Sequence, residues 1–159
     1  MSGVEIVRAS WRDAWSLSRL DQRCFSRIDA YSWLTYLSLC MWPGIVTLKA
    51  VAGERIVGVV AGDPRKRRGY ALIVTLAVDP DWRRQGLGAR LMHACEARFD
   101  LPRFRLQVRK SNAPAIRLYR KLGYAIVDTL PGYYGDGEDG YVMDKANNMK
   151  RAGSEHGGT

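Results

Sequence analysis

Apolar and polar positions alternate over Val4 to Arg8, which predicts a first strand. Ser10, with Asp13 three residues on, predicts a capped helix from Trp11 to Cys24, its apolar face supplied by Trp15, Leu17 and Leu20. Residues 30 to 42 are aromatic and apolar at helical spacing and stop at Pro43-Gly44. Ile45 to Ala52 and Arg55 to Asp63 read as strands joined by a tight turn at Gly53-Glu54. Tyr70 to Val78 is a near-continuous apolar run, as expected of a central strand. The period then returns to helical over Leu87 to Phe99. Phe104 to Val108 is a strand, and Asn112 caps a helix to Leu122 with Pro114 in its first turn and Gly123 just past its end. Tyr124 to Thr129 and Tyr141 to Asp144 are the last strands. The order is β-α-α-β-β-β-α-β-α-β-β, a single α/β (α+β) domain over residues 1 to 146 with a mixed sheet. Residues 147 to 159 are polar and Gly-rich and are expected to be a disordered tail.

Composition narrows the classes. The chain has 159 residues, enough to bury a core without disulfides or metal. No apolar run approaches the ~20 residues of a membrane helix, and Met1 to Ile6 lacks the basic-then-apolar pattern of a secretory signal, so a cytoplasmic location is expected. Cys24, Cys40 and Cys95 are scattered and read as small buried hydrophobes. With two histidines, His93 and His156, no zinc-ligand spacing exists and no metal is expected. His93 falls inside a helix and reads as surface or packing. The net charge of +9 raises the prospect of polyanionic partners. Arg65-Lys-Arg-Arg68 is the densest cluster, and its plain reading is a solvated hairpin tip. No signature of sequence-specific nucleic-acid binding is present.

The chemistry concentrates in Val74-Thr-Leu-Ala-Val-Asp-Pro-Asp-Trp-Arg-Arg-Gln-Gly-Leu-Gly-Ala-Arg-Leu-Met92, where a buried strand enters a basic, Gly-rich turn that opens a helix. The first turn of a helix exposes unpaired N–H groups carrying partial positive charge, and glycine lets that backbone approach a ligand. Arg83, Arg84 and Arg90 add full charges. The ensemble reads as a pyrophosphate cradle. It is neither a P-loop nor a dinucleotide fingerprint, since the terminal Gly-Lys-Ser/Thr and the third glycine are both missing.

Arg83-x-x-Gly86-x-Gly88 resembles the acyl-CoA signature of the Gcn5-related N-acetyltransferase (GNAT) superfamily. Leu106 to Tyr124 resembles that superfamily's second CoA segment. Tyr133-Tyr-Gly-Asp-Gly-Glu-Asp-Gly-Tyr-Val-Met143 resembles protein N-terminal acetyltransferases, the ribosomal-protein alanine N-acetyltransferase among them. The resemblance spans about residues 4 to 145. It implies a mostly antiparallel sheet of six to seven strands with helices on both faces, splayed as a V between the two central strands. It implies acetyl-CoA as cosubstrate and a protein or peptide N-terminus, such as that of a ribosomal protein, as acceptor. By position, backbone groups of Leu76, Ala77 and Val78 would hold the pantetheine and thioester. Arg83, Arg84, Gln85, Gly86, Leu87, Gly88 and Ala89 would wrap the pyrophosphate, and Asn112 would contact CoA. Tyr119 would protonate the departing thiolate, while Tyr31, Tyr133 and Tyr134 would line the peptide end.

The general base departs from the resemblance. Bacterial ribosomal-protein acetyltransferases typically carry Glu at the position of Gln107, and some eukaryotic relatives carry His; a tyrosine used by another relative is Leu72 here. Gln107 cannot take a proton but can orient a water. Asp29, in Arg27-Ile-Asp-Ala-Tyr31, loosely resembles a Pro-Glu-Asn-Tyr loop whose Glu acts in relatives, and is the remaining carboxylate candidate. Two other readings stand beside N-terminal acetylation: acetyl transfer to a small amine, and a CoA-binding regulatory module without turnover.

Overall fold

The computed structural model describes residues 3–148. Its strands are β1 (Val4–Arg8), β2 (Val46–Ala52), β3 (Arg55–Arg65), β4 (Tyr70–Val78), β5 (Arg103–Arg109), β6 (Ala125–Leu130) and β7 (Gly140–Ala146). Its helices are α1 (Ala14–Cys24), α2 (Trp33–Met41), α3 (Leu87–Glu96) and α4 (Ala113–Lys121), with short 3-10 turns at Trp11–Asp13, Lys66–Arg68 and Pro80–Trp82. The sheet order is β1-β2-β3-β4-β5-β7-β6. β4 and β5 are parallel, whereas β1–β2, β2–β3, β5–β7 and β6–β7 are antiparallel. The sheet is thus mixed and mostly antiparallel, with seven strands.

The described chain divides into two compact units, residues 3–63 with 74–98, and residues 64–73 with 99–148. β4 is split between them. Its parallel register with β5 covers Tyr70–Ile73, which lie in the second unit.

In the first unit both sheet faces carry helices. Leu17 and Leu20 of α1 and Tyr36 and Leu39 of α2 pack with Val59, Ala61 and Ala77. On the other face α3 sits close: a Cβ at Gly58 would come within 2.8 Å of Leu91 Cδ1, so any larger residue there makes the Leu91 side chain shift. Tyr36 and Leu17 are wholly buried. Each fully buried Leu is worth about 1.5–3 kcal/mol against exposure. In the second unit the alternation of β5 places Phe104, Leu106 and Val108 inside and leaves Arg103, Arg105, Gln107 and Arg109 on the other, polar face.

Several sequence expectations change. The helix expected from Trp11 starts as a 3-10 turn, its Asp13 N–H bonding Ser10 O (3.0 Å) while the Asp13 carboxylate caps the Ser10 N–H (2.8 Å), and the α-helix begins at Ala14. Trp15 does not join the apolar face: it is 61% exposed, and the buried stripe is Ala14, Leu17, Ser18, Leu20 and Asp21. Trp33, Met41 and Trp42, whose helical spacing reads as core or the wall of a substrate groove, are exposed and so stand outside the core. The strand at Tyr70–Val78 is a near-continuous apolar run, yet its burial alternates, Ala71, Ile73, Thr75 and Ala77 being buried and Leu72, Val74, Leu76 and Val78 half-buried. Of the expected tail, all but Asn147 and Asn148 lies outside the described residues. Asn147 itself is buried, its amide donating to the carbonyls of Phe99 (3.3 Å) and Leu101 (2.9 Å).

Candidate active site

The first unit carries the strand end and the glycine-rich turn. The Asp79 N–H bonds Val57 O (2.9 Å), so in the alternating ladder Leu76 and Val78 turn their backbone groups to the opposite edge of β4. Side chains already sit on that edge. Arg83 Nε (3.0 Å) and Cys24 Sγ (3.4 Å) donate to the Val78 carbonyl, and the Tyr31 hydroxyl reaches the Val74 carbonyl at 3.5 Å. Leu76 lies between them. Arg83, expected at the pyrophosphate, is therefore placed on the strand end. Asp79 closes the turn from below: it is 1% exposed and bonds Arg23 (2.6 Å) and Arg55 (2.9 Å).

The turn that follows contains two left-handed residues, Arg84 (φ 62) and Gly86 (φ 77), the latter capping α3. Arg84 is the lone described non-glycine residue with positive φ. Backbone strain of this kind costs about 1–3 kcal/mol and collects at ligand sites. The position of a Cβ on Gly86 opens on nothing within 4 Å. Arg83, Arg84, Gln85 and Gly86 are exposed, Gly88 and Ala89 half-buried, and Leu87 plants its side chain in the core while its N–H stays in the first helical turn. Left-handed turns before a helix form anion-binding concavities. The residues present fit a pyrophosphate.

Tyr31 is held from behind. The Asp21 carboxylate, 1% exposed, accepts from the Tyr31 N–H (2.7 Å) and the Tyr36 hydroxyl (2.5 Å). Burial pushes the Asp21 carboxyl up, and these two bonds oppose that shift. Asp29 is half-buried in the same loop, its N–H on Ser26 O (3.1 Å).

The second unit carries the other candidates. Gln107 is exposed on β5, and its Oε1 accepts from the Tyr133 hydroxyl at 2.8 Å. Tyr133 and Tyr134 pack edge to face at 5.1 Å between centroids. The Arg109 guanidinium lies 4.2 Å over the Tyr134 ring and bonds Asp136 and Glu138, both at 2.9 Å. Glu138 Oε1 accepts from the Ser111 N–H (2.8 Å). Tyr119, half-buried on α4, packs edge to face on Tyr124; burial, aided by Tyr134, pushes its phenol up to about 12. Asn112 Oδ1 caps α4 through the Ala115 N–H (3.3 Å).

The structure thus joins Gln107 with Tyr133, and Tyr31 with the β4 edge. Asp29 and Tyr31 belong to the first unit; Gln107, Asn112, Tyr119, Tyr133 and Tyr134 belong to the second. Sequence reading missed Arg109, Glu138, Asp79 and Asp21. Arg109 was findable, two residues from Gln107 on an alternating strand. A groove of about 730 Å³ in the first unit holds none of the site residues expected from the sequence; Lys49–Asp13 (2.9 Å) and the Asp79 pairs line it.

A seven-stranded sheet with one central parallel pair, and a glycine-rich turn into a helix after the first strand of that pair, match the GNAT acetyltransferase fold expected from the sequence. The chain belongs to the acetyltransferase (GNAT) family, whose family model matches residues 7–124. It is 35% identical over 120 residues to the N-terminal acetyltransferase B complex catalytic subunit NAA20 of Arabidopsis thaliana, covering 72% of this chain and 68% of that one. Ard1 from Thermoplasma volcanium superposes with a TM-score of 0.80 at 32% identity, covering 91% of this chain and 97% of the other. Arabidopsis thaliana Naa50 in complex with the bisubstrate analogue CoA-Ac-MVNAL superposes with a TM-score of 0.76 at 25% identity, covering 90% and 98%. Among the described residues no helix is long and apolar enough to cross a membrane.

Proposed function

We propose that this enzyme transfers an acetyl group from acetyl-CoA to the α-amine of a protein N-terminus, with residues 1–146 as one catalytic domain. The observation that carries the reading is the left-handed pair Arg84 and Gly86 opening α3 directly after β4. The likeness to a relative solved with a joined CoA–peptide analogue supports both substrates. Bound acetyl-CoA supplies an acetyl group activated as a thioester.

The chain's own residues do the rest. Leu76 and Val78 offer backbone groups to an extended pantetheine, and Arg84 to Ala89 hold the pyrophosphate through the first-turn N–H groups. Asn112 keeps its amide Nδ2 for CoA while Oδ1 caps the helix. The Val78 N–H, on the edge of β4 turned away from β3, steadies the developing oxyanion, whereas the alternation turns the Ala77 N–H toward β3. Tyr119 stays protonated across the working range, since its phenol is pushed up to about 12, and so can give a proton to the leaving sulfur. Because Tyr133 spends its proton on Gln107, its oxygen presents lone pairs to the incoming amine. An α-amine has a pKa of about 8, so part of it is neutral at pH 7.5. Its remaining proton leaves through water at Gln107, or through Asp29.

The test is a peptide library incubated with the full chain and acetyl-CoA and read by mass spectrometry. Mass gain on N-terminal α-amines is expected. Gain confined to lysine side chains or to added free amines overturns the acceptor assignment. CoA binding without product overturns the activity.

A further inference from the structure

The β3–β4 hairpin ends in Arg65-Lys66-Arg67-Arg68, four cations that the acetyl-transfer reading leaves unused. We propose that Lys66, Arg67 and Arg68 form a docking surface for the phosphate backbone of a structured nucleic acid, bound without regard to base sequence. The tip is built, not slack. Its three residues form a 3-10 turn closed by Gly69 at φ 76, whose N–H bonds the carbonyls of Arg65 (3.0 Å) and Lys66 (3.3 Å). A 3-10 turn has three residues per turn, so side chains three apart share a face and the intervening ones project elsewhere. Lys66, Arg67 and Arg68 are consecutive on this turn and all exposed, so the tip is densely cationic.

The neighbouring cations show what the second unit does when a charge serves the fold. Arg105 grips Asp144 through Nε (2.7 Å), Arg103 reaches the same carboxylate (3.4 Å), and Arg109 takes Asp136 and Glu138. Among the described residues no carboxylate pairs with Lys66, Arg67 or Arg68, and all three are exposed. The turn itself requires glycine only at position 69. Nothing in its backbone calls for cations, and adjacent like charges repel.

Phosphate is the anion these side chains suit. Two of the three are arginines, whose planar fork matches phosphate oxygens. No large exposed hydrophobic residue lies on the hairpin tip, so a lipid bilayer finds charge there but no anchor. The side chains reach out from a convex turn, with nothing shaped to read a base edge, which leaves the backbone as the target.

The experiment uses the full chain and a labelled 20-base-pair RNA duplex, followed by anisotropy across a KCl series. Each phosphate contact contributes a slope of about −0.9 to log K against log salt. Replacing Lys66, Arg67 and Arg68 by serine should weaken binding at least tenfold at about 100 mM salt and flatten the slope by about 2.7. Acetylation of a free peptide should stay unchanged, because no residue of the cradle or of Tyr119, Gln107 and Tyr133 is touched. Two duplexes of unrelated sequence should bind alike. Equal affinity and slope in the serine variant, a strong preference between the duplexes, or capture by phosphatidylserine vesicles but not by duplex each overturns the proposal. Failure of peptide acetylation in the wild type bears on the enzyme reading alone.

Discussion

The Tyr133 hydroxyl donates to Gln107 Oε1 at 2.8 Å, tying the loop between β6 and β7 to the polar face of β5. A glutamine at this strand position therefore has a partner inside the protein. A carboxylate would accept the same hydrogen bond and also take a proton.

Gln107→Ala removes the acceptor and leaves the Tyr133 hydroxyl to water, so the peptide KM should rise about tenfold with acetyl-CoA affinity unchanged. Gln107→Glu keeps the acceptor and adds a base. It should retain at least wild-type kcat and shift the acid limb of the pH–rate profile downward. Asp29→Asn discriminates the competing route: a loss of kcat larger than that of Gln107→Ala assigns the proton to Asp29. Wild-type profiles in both variants remove both residues from the proton path.

Tyr119→Phe tests the acid. General acids contribute roughly 10²–10⁴-fold, so kcat should fall by about 10² while the acetyl-CoA KM stays near its wild-type value. The phenol is pushed up to about 12, so no loss of Tyr119 protonation should bend the profile below pH about 10. An unchanged kcat leaves Tyr119 as a packing partner of Tyr124.

The cradle can be tested by shape. At Gly86 the φ of 77 excludes branched side chains, while the space beyond is open. Gly86→Val should weaken acetyl-CoA at least tenfold, ~1.4 kcal/mol. Gly86→Asn, which tolerates the left-handed region, should stay within about threefold of wild type. Calorimetry on both variants decides. Equal losses would mean that size, not conformation, governs the position.

The order of elements was legible because hydrophobic period and turn residues agree along this chain: β4 was read at Tyr70–Val78 and is found there. The tryptophans misled. Trp15 and Trp33 fit a helical apolar stripe by spacing, yet Leu17, Leu20, Tyr36 and Leu39 fill the core and leave them outside. Asp21 was invisible for the opposite reason, a carboxylate on the buried face of α1 whose meaning depends on Tyr31 and Tyr36 arriving from elsewhere. Glycines that set backbone shape could be read locally. Long-range partners, such as Arg23 and Arg55 on Asp79, could not.

Arg109 makes the last prediction. It holds Asp136 and Glu138 and covers the Tyr134 ring, so it fixes the loop that presents Tyr133 and Tyr134. Its hydrogen bond holds the Asp136 carboxyl below the usual range; bonding at Ser111, then Arg109, does the same for Glu138. Depressed values in the folded state mean that this contribution is complete above the ordinary carboxylate pKa and is lost as pH falls through the lowered ones. The loop should therefore keep its wild-type amide spectrum down to pH about 4. Arg109→Ala should return both carboxyls toward ordinary titration and raise the peptide KM at least tenfold, with acetyl-CoA affinity unchanged. Arg109→Lys should recover only part, since an ammonium cannot bridge two carboxylates and stack on a ring as a guanidinium does. Carboxyl titration by NMR together with steady-state kinetics checks both. An unchanged peptide KM in Arg109→Ala, with the carboxyls shifted, would show that the clamp orders the loop without helping it hold substrate.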